Sequence, residues 1–326
     1  MPGSDGDDLP SRTRTETTAV QLDWVRAFLA VVDHGGFHAA AVELYRSQGR
    51  ISSYVAALER ELGAQLFDRE HRPARLTAAG EVFVPHARAM VEEVQTGKAA
   101  VAGVQGLLTG DVALATYPSA GASFVPEVLR RFSREHPGIR VELVEAAVRG
   151  IDSALDQGVA QLAIRPALPP PMNRQGFEHT PLWREPMCLV VPEGHPLCAS
   201  GTARLPDLQG TEMVVSGHNL RYDTEVFRLL EGSGIDVKIR FLSDQPQILV
   251  GLVRSGLAIG LTNRLAVDSV RTEGVVVVGL DPPLYREVGA FWAPGLSRSP
   301  AAKALLETVR RTPAPSNVTD LRTEAP

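Results

Sequence analysis

Two sets of residues in this chain have types and spacing suited to recognition chemistry. Near the N-terminus, Arg69, Arg72 and Arg75 crowd a short polar stretch. Guanidinium groups at that density suit phosphate oxygens, which they meet through bidentate, charge-assisted hydrogen bonds. Farther on, Tyr117, Ser119, Arg165, Ser216, His218 and Thr262 each follow or end a short apolar run of strand type. In open α/β sheets a ligand sits beyond the carboxyl ends of strands, and hydroxyls, helix starts and one guanidinium there make an anion site. Arg165, directly after Leu162, Ala163 and Ile164, is the sharpest of these signals. A neighbouring acid could equally take it, and each serine alone could be a cap. No Gly-x-Ser-x-Gly elbow, His-Glu-x-x-His pair, phosphate loop or metal-spaced Cys cluster occurs, so neither an enzyme nor a metal or cofactor site is expected.

The elements that would position these groups follow from periodicity. Leu22, Val25, Phe28, Leu29 and Val32 recur at helical spacing until His34, Gly35 and Gly36 stop the run, and Phe37, Ala40, Ala41 and Leu44 make a shorter stripe. Ser47 stands where its oxygen can take a free backbone N–H, which predicts a third helix with Ile51, Val55, Leu58 and Leu62 inward and Gly63 closing it. Its opposite face carries Gly49, Arg50, Ser52, Ser53, Ala56 and Ala57, flanked by Gln48. A helix entering a major groove needs such short side chains and a few hydrogen-bonding groups; a module packing on another protein is the alternative. Leu66 and Phe67 lead through the Arg-rich stretch to Leu76, Thr77 and Gly80, the outline of a wing that favours DNA over protein.

At 326 residues, with 44% hydrophobic content, the chain suits two or three ordinary domains. Its net charge of -5 excludes a protein that coats nucleic acid by bulk charge, so affinity must come from a local patch: Arg46, Arg50, Arg60, Arg69, Arg72 and Arg75, diluted by Glu59, Glu61, Asp68 and Glu70. Residues 1–18 are polar and acidic, unlike a signal peptide, and no apolar run is long enough to span a bilayer. A cytoplasmic location without a membrane partner is expected. Cys188 and Cys198 then read as thiols.

Phe83, Ala87, Met90, Val94, Val101 and Val104 predict a long helix over residues 81–105 whose apolar seam has no partner within the chain, with glycines at 97, 103 and 106 loosening its far end into a hinge at 107–110. Beyond it, strands at 112–115, 141–145 and 162–165 alternate with helices at 122–135 and 150–157, which implies a mainly parallel sheet covered on both faces. Prolines at 166 and 169–171 mark a crossover to a second subdomain with strands at 189–191, 213–216, 239–242 and 258–261, and the segments 275–278 and 288–292 are expected to return to the first.

Ser47-Gln48, Leu58-Glu59 to Leu62-Gly63, Leu66-Phe67 to Arg69, and Leu76-Thr77 to Gly80 together resemble the LysR-type transcriptional regulators, and the similarity continues weakly to about Arg311. The resemblance implies a winged helix-turn-helix, a linker helix that makes a homodimer, a homotetramer of two such dimers, and a two-lobed effector domain like periplasmic solute-binding proteins. Double-stranded operator DNA and a small-molecule effector are the implied partners, with RNA polymerase a further candidate. In aromatic-acid sensors of the family an Arg at the point of Arg165 meets a carboxylate. The position before that strand, usually Asp in the family, is Gln161 here, and Gly49, Ser53 and Ala56 also depart from its pattern, so operator sequence does not transfer. Peroxide sensors of the family carry Gly-His-Cys-Leu-Arg where this chain has Gly217-His218-Asn219-Leu220-Arg221, and Asn219 has no sulfur to oxidise.

The expected organisation is therefore a disordered extension over 1–19, a DNA-binding domain over 20–80, a linker helix and hinge over 81–109, an effector domain over 110–311, and a disordered tail over 312–326. Lobe I is assigned 110–166 and 266–311, lobe II 167–265. DNA contact is expected from Ser47, Gln48, Arg50, Ser52, Ser53, Arg69, Arg72 and Arg75. Effector contact by a small carboxylate or other anion is expected from Tyr117, Ser119, Arg165, Ser216, His218 and Thr262. An effector-independent regulator, or an enzyme on a solute-binding fold, are the alternatives.

Overall fold

The computed structural model describes residues 19–68, 75–104, 109–171, 176–217, 230, 232–294 and 299–322. The chain divides into two units, Met1–Val91 and Glu92–Pro326.

The first unit holds helices α1 (Leu22–Asp33), α2 (Phe37–Glu43) and α3 (Gln48–Leu62), the hairpin β1 (Phe67–Asp68) and β2 (Arg75–Leu76), and the start of α4 (Ala78–Val104). Ser47 caps α3 by accepting the Arg50 N–H at 3.3 Å, and Gly63 ends it with φ 67, the left-handed conformation that glycine adopts without a Cβ clash. Val25, Phe28, Ile51, Val55 and Leu58 meet Leu66 and Phe67 in one core. Leu62, expected inward, is 37% exposed because the helix ends beside it. Phe83, Val84, Ala87 and Val91 of α4 pack into this same core, so the first half of the apolar seam has an internal partner after all. Met90, Val94 and Val101 are exposed. The helix runs on through Gly97 to Val104, since one glycine costs only about 1 kcal/mol against several flanking turns. The expected hinge residues at 107 and 108 lie outside the described residues, as does the extension over 1–18, and Gly110 opens a strand.

In the second unit the strands are β3 (Gly110–Thr116), β4 (Ile139–Glu145), β5 (Leu162–Pro166), β6 (Glu178–Pro192), β7 (Thr202–Arg204), β8 (Glu212–Val215), β9 (Lys238–Leu242), β10 (Ile259–Asn263), β11 (Val275–Asp281), β12 (Tyr285–Trp292) and β13 (Thr319–Asp320). They join in the order β4-β3-β5-β12-β6-β10-β8-β9, with β11 and β13 also on β6. The helices are α5 (Pro118–Ser123), α6 (Val125–Glu135), α7 (Val148–Asp156), α8 (Pro246–Arg254), α9 (Arg264–Asp268) and α10 (Pro300–Arg311). The pairs β3/β4, β3/β5, β8/β9 and β8/β10 are parallel as expected, but β12 and β6 pair their neighbours antiparallel, so each lobe is mixed and not mainly parallel.

The lobe boundaries differ from the expected ones. β6 is a single 15-residue strand: its first half pairs β12 and packs Leu182 and Trp183 into the lobe I core, while its second half pairs β10 and β11 and packs Met187, Leu189 and Val191 into lobe II. The segment 275–278, expected in lobe I, belongs to β11 and lobe II because it pairs β6 from Val278↔Leu189 to Val275↔Pro192. The tail expected to be disordered from 312 is folded to 322: Thr319 and Asp320 pair Arg184 and Trp183 of β6, and Leu321 is buried. Residues 323–326 lie outside the described ones.

Candidate functional site

The face expected to read DNA is built on α3 and the hairpin. Gln48, Arg50 and Ser53 are exposed and Ser52 is half-buried. Two of these hydroxyls are already engaged within the helix: Ser47 caps it and Ser53 donates to the Arg50 carbonyl at 2.8 Å. The Arg50 Nε donates to the Tyr54 hydroxyl at 2.8 Å, with the guanidinium 5.3 Å above the Tyr54 ring. Tyr54, which sequence reasoning missed, therefore orients Arg50 from one turn along. Arg75 is exposed on β2 and faces Asp68 across the hairpin. Arg69 and Arg72 lie outside the described residues.

Glu59 does not dilute the basic patch as its charge suggested. It is buried, and its Oε1 accepts the Leu66 N–H at 2.8 Å and the Phe67 N–H at 3.2 Å, fixing the entry to the wing against α3. Thr77 closes the other side by donating to the Gln65 carbonyl at 2.7 Å and accepting the Gly80 N–H at 3.0 Å. A Cβ on Gly80 would lie 2.2 Å from the Leu66 carbonyl oxygen, so only glycine lets α4 start this close to the wing.

The second site lies where the lobes meet. Tyr117 and Ser119 follow β3, Thr262 and Asn263 end β10, and Ser216 follows β8. On β6, Glu185 stands just before the strand crosses into lobe II, directly opposite Arg286 of β12. Glu185 is fully buried; its Oε1 accepts from Arg286 Nε and from the Tyr117 hydroxyl at 3.4 Å, and its Oε2 accepts from Asn263 Nδ2 at 3.2 Å. The Asn263 amide also donates to Ser119 Oγ at 3.2 Å, and the Arg286 guanidinium lies 4.9 Å above the Tyr117 ring. Thr262 Oγ1 donates to Asn263 Oδ1 and faces Ser216 Oγ, both at 3.5 Å. Nearer the surface, Gln245 of lobe II donates to Glu145 of lobe I at 3.3 Å.

Four of the six expected effector residues, Tyr117, Ser119, Ser216 and Thr262, thus share one polar network. His218 lies outside the described residues. Arg165 does not join them. It is 0% exposed, with its Nε 3.0 Å from Asp152 Oδ1, its Nη2 donating to the Pro169 carbonyl at 2.6 Å and its guanidinium 4.9 Å over the Phe291 ring. The neighbouring acid has taken it: a guanidinium buried to this depth requires a paired charge, and α7 supplies one. Burial pushes the Asp152 carboxyl above its ordinary value, while the Arg165 and Arg149 charges pull it back. Sequence reasoning missed Glu185, Asn263 and Arg286. The one available signal was a charged Arg184-Glu185 pair interrupting an apolar strand.

Cys188 is buried on β6, where desolvation pushes its thiol up to about 12, and Cys198 is partly exposed with its Sγ 3.6 Å from the Pro192 carbonyl. Among the described residues no group of three or more His, Cys, Asp or Glu could hold a metal ion, and no helix is long and apolar enough to cross a membrane.

Residues 22–81 match the model of the bacterial regulatory helix-turn-helix proteins of the lysR family, and residues 105–314 match the LysR substrate binding domain. The DNA-binding transcriptional dual regulator OxyR of Escherichia coli strain K12 is 28% identical over 286 residues, 86% of this chain and 92% of that protein. Among solved structures, a full-length OxyR variant from Pseudomonas aeruginosa aligns over 92% of this chain and 98% of its own with a TM-score of 0.73 at 21% identity. Full-length CbnR complexed with its target DNA aligns over 89% of this chain and 99% of its own, with a TM-score of 0.62 at 23% identity. These relatives are transcriptional regulators and not enzymes. With a helix-turn-helix at one end and a substrate binding domain over most of the remainder, the chain belongs to the LysR family of DNA-binding transcriptional regulators.

Proposed function

We propose that this regulator reads operator DNA through Gln48, Arg50 and Ser52 of α3, anchors the wing on phosphates through Arg75 with Arg69 and Arg72 beside it in sequence, and changes its grip when a small effector enters the lobe junction. CbnR, which shares this fold, has been solved with its target DNA, and Arg50 is exposed on the outer face of α3, which supports α3 as the helix that would enter a major groove. Two copies pair through the exposed half of the α4 seam, and pairs of dimers form the tetramer implied by the family; RNA polymerase stands as a further candidate partner.

The carrying observation is the buried Glu185–Arg286 pair on the lobe I side of the junction, tied to lobe II through Asn263. With Arg165 held by Asp152, Arg286 is, among the described residues of this junction, the cation placed to meet an effector carboxylate. Drawing Arg286 away leaves Glu185 short of a counter-charge in a buried site, which costs several kcal/mol. A molecule that brings an ammonium for Glu185 as well as a carboxylate for Arg286 replaces both halves of the pair. The effector is accordingly a small zwitterion of amino-acid type, oriented by Ser119 from lobe I and by Ser216 and Thr262 from lobe II, rather than a simple anion.

A thermal-shift screen on the full chain tests this with matched pairs, each amino acid beside its deaminated acid. Saturation at about 100 times Kd stabilises the native state by roughly 2.7 kcal/mol, enough to move the melting temperature. Shifts from the amino acids alone are expected; shifts from the deaminated acids alone would return the site to a simple anion.

A further inference from the structure

We infer that the C-terminal arm, residues 313–322, is a strap across the lobe junction, with Asn317 as the positioning residue that sets how firmly the junction is held. The arm leaves α10 and returns to the middle of β6, where Thr319 and Asp320 pair Arg184 and Trp183 and the Leu321 N–H donates to the Leu182 carbonyl at 3.1 Å. Those β6 residues immediately precede Glu185. Val318 packs on the lobe I core and Leu321 is buried beside it. Arg322 bonds the Asp320 carboxylate and donates to the carbonyls of Val309, Arg310 and Thr312, so the end of the arm is locked onto the C-terminus of α10. Two fixed ends leave a bend between them, and Asn317 occupies it at φ 67, a left-handed conformation that asparagine tolerates better than most residues.

From that bend the Asn317 Nδ2 donates to Asp268 Oδ2 at 3.1 Å, at the far end of α9. α9 is where the two lobe cores meet: its Leu265 belongs to the lobe I core and its Val267 to a lobe II cluster. Immediately before α9 stands Asn263, the residue that bridges Ser119 and Glu185. The arm therefore touches the junction twice, through β6 beside Glu185 and through the α9 end opposite Asn263. α9 buries Leu265, Ala266 and Val267, and its exposed end is closed by Arg264 Nε donating to Asp268 Oδ1 at 2.8 Å, so Asn317 adds a second hold on that end of a helix too short to be stable alone. Loosening Asn317 lets α9 and Asn263 open more often, which links the arm to the junction assigned above as the effector site.

The test is amide hydrogen exchange on the full chain without any added ligand, so that it stands or falls apart from whether an effector is found. Asn317→Gly removes the side chain while accepting the backbone, and Asn317→Asp places a carboxylate against Asp268. Exchange in residues 263–268 is expected to rise by about threefold to tenfold in the first variant and at least as far in the second, with exchange in α6 and α8 unchanged. Unchanged exchange in residues 263–268 for both variants would overturn the strap, and so would a uniform rise across the whole second unit, which would make Asn317 merely structural.

Discussion

Glu59 and Leu66 are joined by a buried hydrogen bond of 2.8 Å that ties α3 to the hairpin after it, and the same carboxylate oxygen takes the Phe67 N–H. A buried N–H left without an acceptor costs about 1–3 kcal/mol, so Glu59→Ala is expected to lower stability by about 2–4 kcal/mol. Glu59→Gln keeps an acceptor and loses less. Urea melts followed by tryptophan fluorescence from Trp24, buried in the same core, read the difference. Equal midpoints for parent and Glu59→Ala would show that the bond holds nothing.

Arg50 and Arg75 are expected to fail differently. Duplexes selected by the parent from a random-sequence library supply the binding site. Arg50→Ala should weaken that site by about 1–3 kcal/mol while leaving scrambled duplexes alone. Arg75→Ala should weaken both alike and make the salt dependence shallower by about one ion. The assignment fails if the two variants show the same pattern.

The N-terminal unit was legible because its signals are local. Ser47, Gly63 and the spacing of Ile51, Val55 and Leu58 act within a few residues of themselves, and the helix they define is the one observed. The junction was not, because its members meet only through strand register. The apolar run predicted a strand over 189–191 alone, whereas β6 starts at Glu178 and contains Pro181 and Pro186; the register shift between Val288 and Gly289 leaves Leu182 as an extra residue beside Pro181. With half of β6 unread, Glu185 had no visible place opposite Arg286. Choosing between the two readings of Arg165, effector contact or a neighbouring acid, failed for a related reason: that Asp152 of α7 comes back over β5 is a tertiary fact. The arm looked disordered because Pro313, Pro315 and polar neighbours dominate it, and its few anchors, Val318 and Leu321, make no periodic pattern.

Met90 and Val94 lie on α4 with 42% and 38% of their surfaces exposed, next to the half of the seam that is covered by its own domain. Replacing either by Asp would bury a carboxylate in the proposed dimer contact at a cost of several kcal/mol. Sedimentation at micromolar concentration is expected to show smaller species for both variants, and DNA affinity should fall with the loss of the paired reader. An unchanged sedimentation profile would place the dimer elsewhere.

Cys188 should be chemically silent. Desolvation, with the Asp268 and Glu185 charges adding to it against the pull of Arg264, holds its thiol up to about 12. A thiol pKa raised by folding means that this contribution to stability is intact below the ordinary cysteine value and lost as pH climbs toward the raised one. At pH 8 the thiolate needed for oxidation or alkylation is therefore absent. Iodoacetamide is expected to label Cys198 in the native protein and Cys188 only after denaturation, read by mass spectrometry of peptides. Equal labelling rates in the native protein would contradict the burial.

An effector gripped from both lobes at once depends on hydroxyls of each, and calorimetric titration of the strongest compound from the amino-acid screen reads the two separately. Ser119→Ala removes a hydroxyl from lobe I and Ser216→Ala one from lobe II. Each is expected to weaken binding by about fivefold or more, in keeping with the loss of one hydrogen bond of about 1 kcal/mol. Arg165→Lys, away from the junction, should leave the dissociation constant unchanged. A compound that binds Ser119→Ala and Ser216→Ala as tightly as the parent would show that the effector is not held at the lobe junction.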